Sequence, residues 1–189
     1  MRKLVLVVHT SLDGYVAGIN GELTGFAPGT ENLEFVCKLT RDADAALFGR
    51  ISYELLDRYW PTARNNDNAT SGEIDYSNWY NSAQKIVVSR TLPPTSKANT
   101  IIIDNNIAEK INEIKNQDGK DILLFGSPSV AQLLMQAGSI DSYWVFVNPA
   151  VFGNGIPLFK QLPDQIKLTL TENHLFPNGE IALHYIVKK

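Results

Sequence analysis

Cysteine is almost missing from this chain. Cys37 stands alone among 189 residues, which excludes an internal disulfide and a cysteine metal cluster; no metal site is expected. Cys37 lies on an apolar helical stripe, where a thiol serves as a small core side chain. No apolar run reaches membrane-spanning length. Met1-Arg2-Lys3 followed by Leu4 to Val8 has the outline of a secretory leader, but the run is short and ends at His9-Thr10-Ser11 without a cleavage pattern. It reads as a first strand, and the protein as cytoplasmic. An excess of basic residues is lacking too: Lys and Arg number 17 against 20 Asp and Glu, a formal net charge of -3. Nucleic acid and anionic membrane both call for a basic face, so neither is expected as a partner. A small anionic ligand, met by local Arg and Lys, stays open. There is no internal repeat and no low-complexity tract.

What is present suits one compact α/β domain over residues 1–189, with 44% hydrophobic and 20% charged residues. Lys3 to His9, Asp44 to Phe48, Lys85 to Val88 and Asp121 to Phe125 are continuous apolar runs, as expected of strands buried on both faces. Thr100 to Ile103 and Ser142 to Val147 read as further strands. Between them, Glu31 to Thr40, Ile51 to Tyr59, Ile107 to Ile114 and Ser129 to Ala137 take helical spacing, with Thr30 and Ser127 as N-caps and Pro128 in a first-turn position. The segment from Trp60 to Asp75 is polar and rich in Asn, and reads as a mobile loop or a poorly ordered excursion. Tyr76, Trp79 and Tyr80 behind it read first as aromatic anchors and second as a pocket wall. Ile166 to His174 and Glu180 to Val187 alternate about Pro177-Asn178-Gly179, the pattern of a β-hairpin. βαβ units followed by a hairpin predict a mostly parallel sheet with an antiparallel edge.

Three buried strands end in groups suited to an anion. Gly49-Arg50 turns from strand into helix, where unpaired backbone N–H groups and the helix dipole favour negative charge and a guanidinium fork matches phosphate. Ser89-Arg90 and Gly126-Ser127 follow the next two such strands. Ligands of open α/β sheets bind outside the carboxyl ends of the strands, so one dinucleotide spans all three junctions. Its pyrophosphate is expected at Gly49 and Gly126, and a ribose 2′-phosphate at Ser89 and Arg90, a pair that prefers NADP to NAD. The G-x-G-x-x-G fingerprint is absent, which argues against a Rossmann architecture.

In order along the chain, Ser11-Leu12-Asp13-Gly14-Tyr15-Val16-Ala17, Leu47-Phe48-Gly49-Arg50-Ile51-Ser52-Tyr53-Glu54, Tyr59-Trp60-Pro61, Val87-Val88-Ser89-Arg90-Thr91-Leu92 and Gly126-Ser127 resemble the dihydrofolate-reductase-like family. That family includes the C-terminal reductase domain of the bacterial bifunctional riboflavin-biosynthesis deaminase-reductase. Gly138-Ser139-Ile140-Asp141 through Pro149, Gly153, Gly155 and Leu158-Phe159 are similar as well, so the resemblance covers nearly the whole chain. It implies a central eight-stranded sheet, NADPH as hydride donor and a homodimer. Carried over by position, Gly49, Arg50, Ile51 and Ser52 match the phosphate-binding helix start, and Ser89 and Arg90 the 2′-phosphate site. Gly126 and Ser127 match a glycine pair beside the nicotinamide-side phosphates, with Ser127 in place of the second glycine. His9 and Val16 match backbone positions that hold the carboxamide.

Hydride transfer also needs a proton donor. The resemblance brings Asn32 closest to the carboxylate of dihydrofolate reductase, flanked by Glu31 and Glu34, and brings Asp13 near the substrate; Asp13 and Glu34 are the candidate catalytic carboxylates. Against this, first-turn acids suit a helix dipole and Asp before Gly is a common turn residue. The H-x-E and P-C-x-x-C ligands of a zinc deaminase are absent. Two functions stay open: an NADPH-dependent reductase of a small heterocyclic (pyrimidine- or pterin-like) or carbonyl substrate, and a non-catalytic nucleotide-binding or dimeric interaction module on the same fold.

Overall fold

The computed structural model describes residues 1–26 and 29–188. Its main sheet is built from β1 (Leu4–Thr10), β3 (Ala43–Gly49), β4 (Gln84–Val88), β5 (Thr100–Ile103), β6 (Asp121–Phe125), β7 (Ser142–Val147), β9 (Leu168–Leu175) and β10 (Ile181–Val187). The order is β5-β4-β3-β6-β1-β7-β10-β9. All pairings from β5 through β7 are parallel, whereas β10 runs antiparallel to β7 and β9. This is the parallel sheet with an antiparallel edge hairpin that the sequence predicts. The continuous apolar runs occupy its centre because parallel strands are covered on both faces.

One core packs Leu4, Leu6, Leu47, Ile86, Ile122 and Leu124 against α5 (Ile107–Lys115) and α6 (Pro128–Gln136). The other packs Val5, Val7, Phe48 and Phe146 against α1 (Thr30–Thr40), α2 (Arg50–Asp57) and α4 (Ser71–Ser82). Alternate strand residues point to opposite faces, so each strand feeds both cores.

Two local expectations change. Gly29, not Thr30, is the N-cap of α1, and Thr30 is already helical, its hydroxyl turned to Glu31. The polar excursion is partly helical: it holds α3 (Trp60–Ala63) and the start of α4, which opens on a capping box between Thr70 and Glu73. Ser77 Oγ donates to the Trp60 carbonyl at 2.6 Å, tying α4 to α3. Tyr76 and Tyr80 are buried and Trp79 Nε1 donates to the Ala43 carbonyl, so these rings are anchors. A small second sheet pairs β2 (Tyr15–Ala17) with β8 (Ile156–Pro157).

Candidate functional site

The carboxyl ends of β3, β4, β6, β1 and β7 lie along one edge of the sheet, because these strands are parallel. α2 and α6 begin there. Neither helix start has a side-chain cap or an acidic residue in its first turn, so their positive dipole ends and first-turn N–H groups, from Ser129 onward in α6 because Pro128 has none, stay available. The two starts touch: a Cβ built on Gly49 would lie 2.0 Å from Ser127 Oγ, and one on Gly126 3.7 Å from Ser52 Oγ. Gly126 and Ser127 both have positive φ, 54° each. Two consecutive left-handed residues turn the chain from β6 into α6 and bring its first turn against Gly49. Gly49, Ser52, Gly126 and Ser127 are thus gathered in one cradle, two strands wide. Ile51 projects outward, 72% exposed. Arg50 is exposed and bonds Glu54 of its own helix at 2.9 Å.

Ser89 and Arg90 follow β4, next to β3. Ser89 is buried, and its Oγ accepts from the Thr91 and Leu92 amides at 3.2 and 3.0 Å. The hydroxyl therefore shapes the turn and leaves the Arg90 side chain exposed at the rim. Two of the three junctions, Gly49-Arg50 and Gly126-Ser127, meet, and the third, Ser89-Arg90, follows the strand beside β3.

The loops after β1 and β7 form one unit. Leu12 N–H donates to the Ala150 carbonyl and Leu158 N–H to that of Gly14. Asp13 fastens both: Oδ1 accepts from Ser11 Oγ at 2.6 Å and from Phe152 N at 3.1 Å, and Oδ2 from Gly153 N at 2.8 Å. The Ser11 hydroxyl, then the Phe152 and Gly153 amides, hold its carboxyl down to about 2 against the opposing effect of desolvation. A carboxylate so held is ionised at neutral pH and cannot donate a proton. Asp13, expected as a catalytic carboxylate, clasps the two loops together. Val16 is buried in β2 behind this clasp.

Glu34, the other expected catalytic carboxylate, is on the outer side of α1. It is exposed and lies beside Gly72 of α4, where a Cβ would meet its Cγ at 3.8 Å. Two residues along a helix are about 200° apart around its axis, so Asn32 faces the other way, into the protein. Its Nδ2 donates to Glu180 Oε2 at 3.0 Å in a buried contact. Glu180 is fully buried, and its Oε1 lies 2.8 Å from His9 Nδ1 without an aligned hydrogen bond. His9 stacks on Phe146, ring centroids 4.9 Å apart, and Asn148 Nδ2 lies 3.4 Å from its Nδ1. Phe26 stands 6.2 Å from His9 and stacks on Phe152 at 5.1 Å. The buried carboxylate of this region therefore comes from the hairpin and not from α1. Sequence reasoning missed Glu180 because an acid next to Asn178-Gly179 reads as a solvated turn residue; only Asn32, a polar residue on the buried stripe of α1, hinted at a buried partner.

A mostly parallel α/β sheet with a ligand edge at its strand carboxyl ends and an antiparallel closing hairpin defines a dihydrofolate-reductase-like domain. Residues 2–181 match the RibD C-terminal domain, and the chain belongs to that family. Uncharacterized protein YyaP of Bacillus subtilis (strain 168) is 31% identical over 188 residues, 97% of this chain and 94% of that protein. A pyrimidine reductase-like protein from Corynebacterium diphtheriae superposes with a TM-score of 0.71 at 15% identity, over 100% of this chain and 92% of the other. A Thermotoga maritima diaminohydroxyphosphoribosylaminopyrimidine deaminase/5-amino-6-(5-phosphoribosylamino)uracil reductase gives 0.68 at 14% identity, over 99% of this chain and 57% of its own. At such identities the structural likeness is one of fold. No helix among the described residues is long and apolar enough to cross a membrane, and those residues hold no cluster of His, Cys, Asp and Glu suited to a metal.

Proposed function

We propose that this chain is an NADPH-dependent reductase of a small heterocyclic, pyrimidine- or pterin-like, or carbonyl compound. The observation that carries the reading is the pair of uncapped helix starts in contact at Gly49 and Ser127. A side chain at position 49 would fill the cradle, and backbone N–H groups at two helix starts suit a pyrophosphate. Arg50 at one start and Arg90 at the neighbouring strand end supply guanidinium groups, Arg90 for the 2′-phosphate. The bound cofactor would supply the hydride. The loop unit clasped by Asp13 would wall the substrate side, with Phe26 and Phe152 offering flat apolar faces. Membership of a reductase-domain family supports the reaction class.

We extend the proposal to a homodimer. β9 is an edge strand with Leu170 and Leu175 exposed, and β10 adds exposed Ile181 on the same face, an apolar strip that a second copy would cover.

Titration of the purified protein with NADPH and NADH, repeated with Arg90→Ala, tests the reading. NADPH should bind more tightly, and Arg90→Ala should remove that preference while leaving NADH binding unchanged. Absence of binding by either nucleotide would overturn it. Tight NADPH binding with no oxidation across carbonyl and heterocyclic probes would favour the non-catalytic module.

A further inference from the structure

We propose that His9 is the proton-donating residue of this site and that Glu180 is its positioning partner, held in turn by Asn32. The inference rests on the reductase reading above. Glu180 is an acid with no exposed side-chain surface, reached by one aligned hydrogen bond, from Asn32 to Oε2. Burying a carboxylate is costly unless a charge or further donors meet it, and the group within reach of Oε1 is the His9 imidazole. Among the described residues, Asn32 from α1, Asn148 after β7, and the rings of Phe26 and Phe146 also meet the pair, and these four are uncharged.

His9 is the exit from this buried charge. Its side chain is 29% exposed, while that of Glu180 is 0%. It sits one residue before the end of β1, at the carboxyl edge where the helix starts and the loop unit converge. Stacking on Phe146 and the contact at Nδ1 fix the ring plane. With Nδ1 turned to Glu180, Nε2 is the nitrogen left to meet a ligand.

A C=N or C=O bond that accepts a hydride at carbon gathers negative charge on its nitrogen or oxygen. The Nε2–H bond of His9 breaks as the new N–H or O–H bond forms, and the electron pair stays on the imidazole. The substrate gains a hydride and a proton, and the nicotinamide coenzyme is the species oxidised. Water at the partly exposed side of the ring returns the proton, while Glu180 stays behind it at Nδ1. A merely structural tie between β1 and the hairpin would need no partly exposed ring.

The test has an arm that needs no substrate. The full chain is treated with diethyl pyrocarbonate at pH 6 and pH 7.5, and acylation at His9 is mapped by mass spectrometry. His9 should react in the folded protein, and its rate should differ in Glu180→Gln, because the carboxylate that meets Nδ1 at 2.8 Å is gone. In the second arm NADPH oxidation is followed with diacetyl and with 7,8-dihydropterin. His9→Gln should lower kcat about 100-fold with KM and NADPH affinity within about twofold, Glu180→Gln should move the pH profile of kcat, and Glu180→Asp should restore part of it. A His9 that reacts only after unfolding, equal acylation in Glu180→Gln, or an unchanged kcat in His9→Gln would each overturn the proposal. Should NADPH bind and neither probe be reduced by the wild type, the reductase reading fails, while acylation still decides whether His9 is open and coupled to Glu180. Should Glu180→Gln not fold, the His9→Gln measurements decide alone: lost thermal stability with preserved kcat marks a tie and overturns the proposal.

Discussion

Gly49 and Ser127 are in such close contact that a Cβ on the glycine would lie 2.0 Å from the serine Oγ. These residues come from β3 and from the end of β6, neighbouring strands whose helices start side by side. The contact brings the first turns of both helices to one place, the cradle proposed for the pyrophosphate.

Gly49→Ala should therefore damage both fold and binding. Overpacking of this kind costs roughly 1–3 kcal/mol, and the displaced turn at Gly126-Ser127 should lower NADPH affinity about tenfold or more. Adding Ser127→Gly should recover much of the stability, because it removes the colliding hydroxyl. Urea denaturation and nucleotide titration of the two single variants and the double variant check this; a stability loss equal with and without Ser127→Gly would refute the contact.

Arg50 and Arg90 should separate in their effects. Arg50 stands at the helix start offered to the pyrophosphate, common to both nucleotides, so Arg50→Ala should weaken NADPH and NADH alike, by about tenfold or less given its exposure and its existing bond to Glu54. Both arginine variants should flatten the salt dependence of NADPH binding. Isothermal titration with NADPH and with NADH distinguishes them, and a second ionic strength checks the shared salt effect.

Asp13 gives a pH dependence with a definite sign. Its carboxyl is depressed in the folded protein from an ordinary value of 3.8 to about 2, so its contribution is fully present above about pH 4 and fades as pH falls toward 2. Asp13→Asn should reproduce the acid effect at neutral pH. The Gly153 and Phe152 amide resonances should shift between pH 4 and 2 in the wild type, and sit near their acid positions at pH 7 in Asp13→Asn. Amide positions insensitive to both changes would mean the clasp is not made.

Far from the site, Lys115 Nζ lies 2.6 Å from Asp141 Oδ2 and donates to the Ser139 carbonyl at 2.7 Å, with only 5% of its side chain exposed. Asp141 also accepts from the Leu4 amide. Asp141→Ala should destabilise the protein by roughly 3–5 kcal/mol, since it strands a buried ammonium and opens a strand end. Lys115→Met together with Asp141→Asn should cost less than Asp141→Ala alone. Chemical denaturation of these variants measures the difference.

For the proposed homodimer, Leu170→Lys and Leu175→Lys on the exposed edge should give a monomer of unchanged circular dichroism in sedimentation measurements. A dimer indifferent to both changes would place the interface elsewhere.

Much of the fold is legible in the sequence because its signals are local and repeated. The strands before Gly49, Ser89 and Gly126 are continuous apolar runs, a pattern forced by burial on both faces, and their polar exits mark the ligand edge. The hairpin shows itself by alternation about Pro177-Asn178-Gly179. Less legible was the segment after Trp60, where short polar helices are held by bonds between α3 and α4 and not by an apolar period of their own.

The sequence by itself determined which residues reach the strand ends, since order and period of the apolar runs dictate a parallel sheet. Only tertiary structure decided which acid is buried. Glu34 and Asn32 share one helix, and packing against α4 turns the first outward and the second inward. Glu180 is 171 residues from His9 in the chain, yet pairing of β10 with β7 and of β7 with β1 brings its carboxylate to 2.8 Å from the ring. A carboxylate's surroundings depend on what lies across the sheet, and no local pattern encodes that.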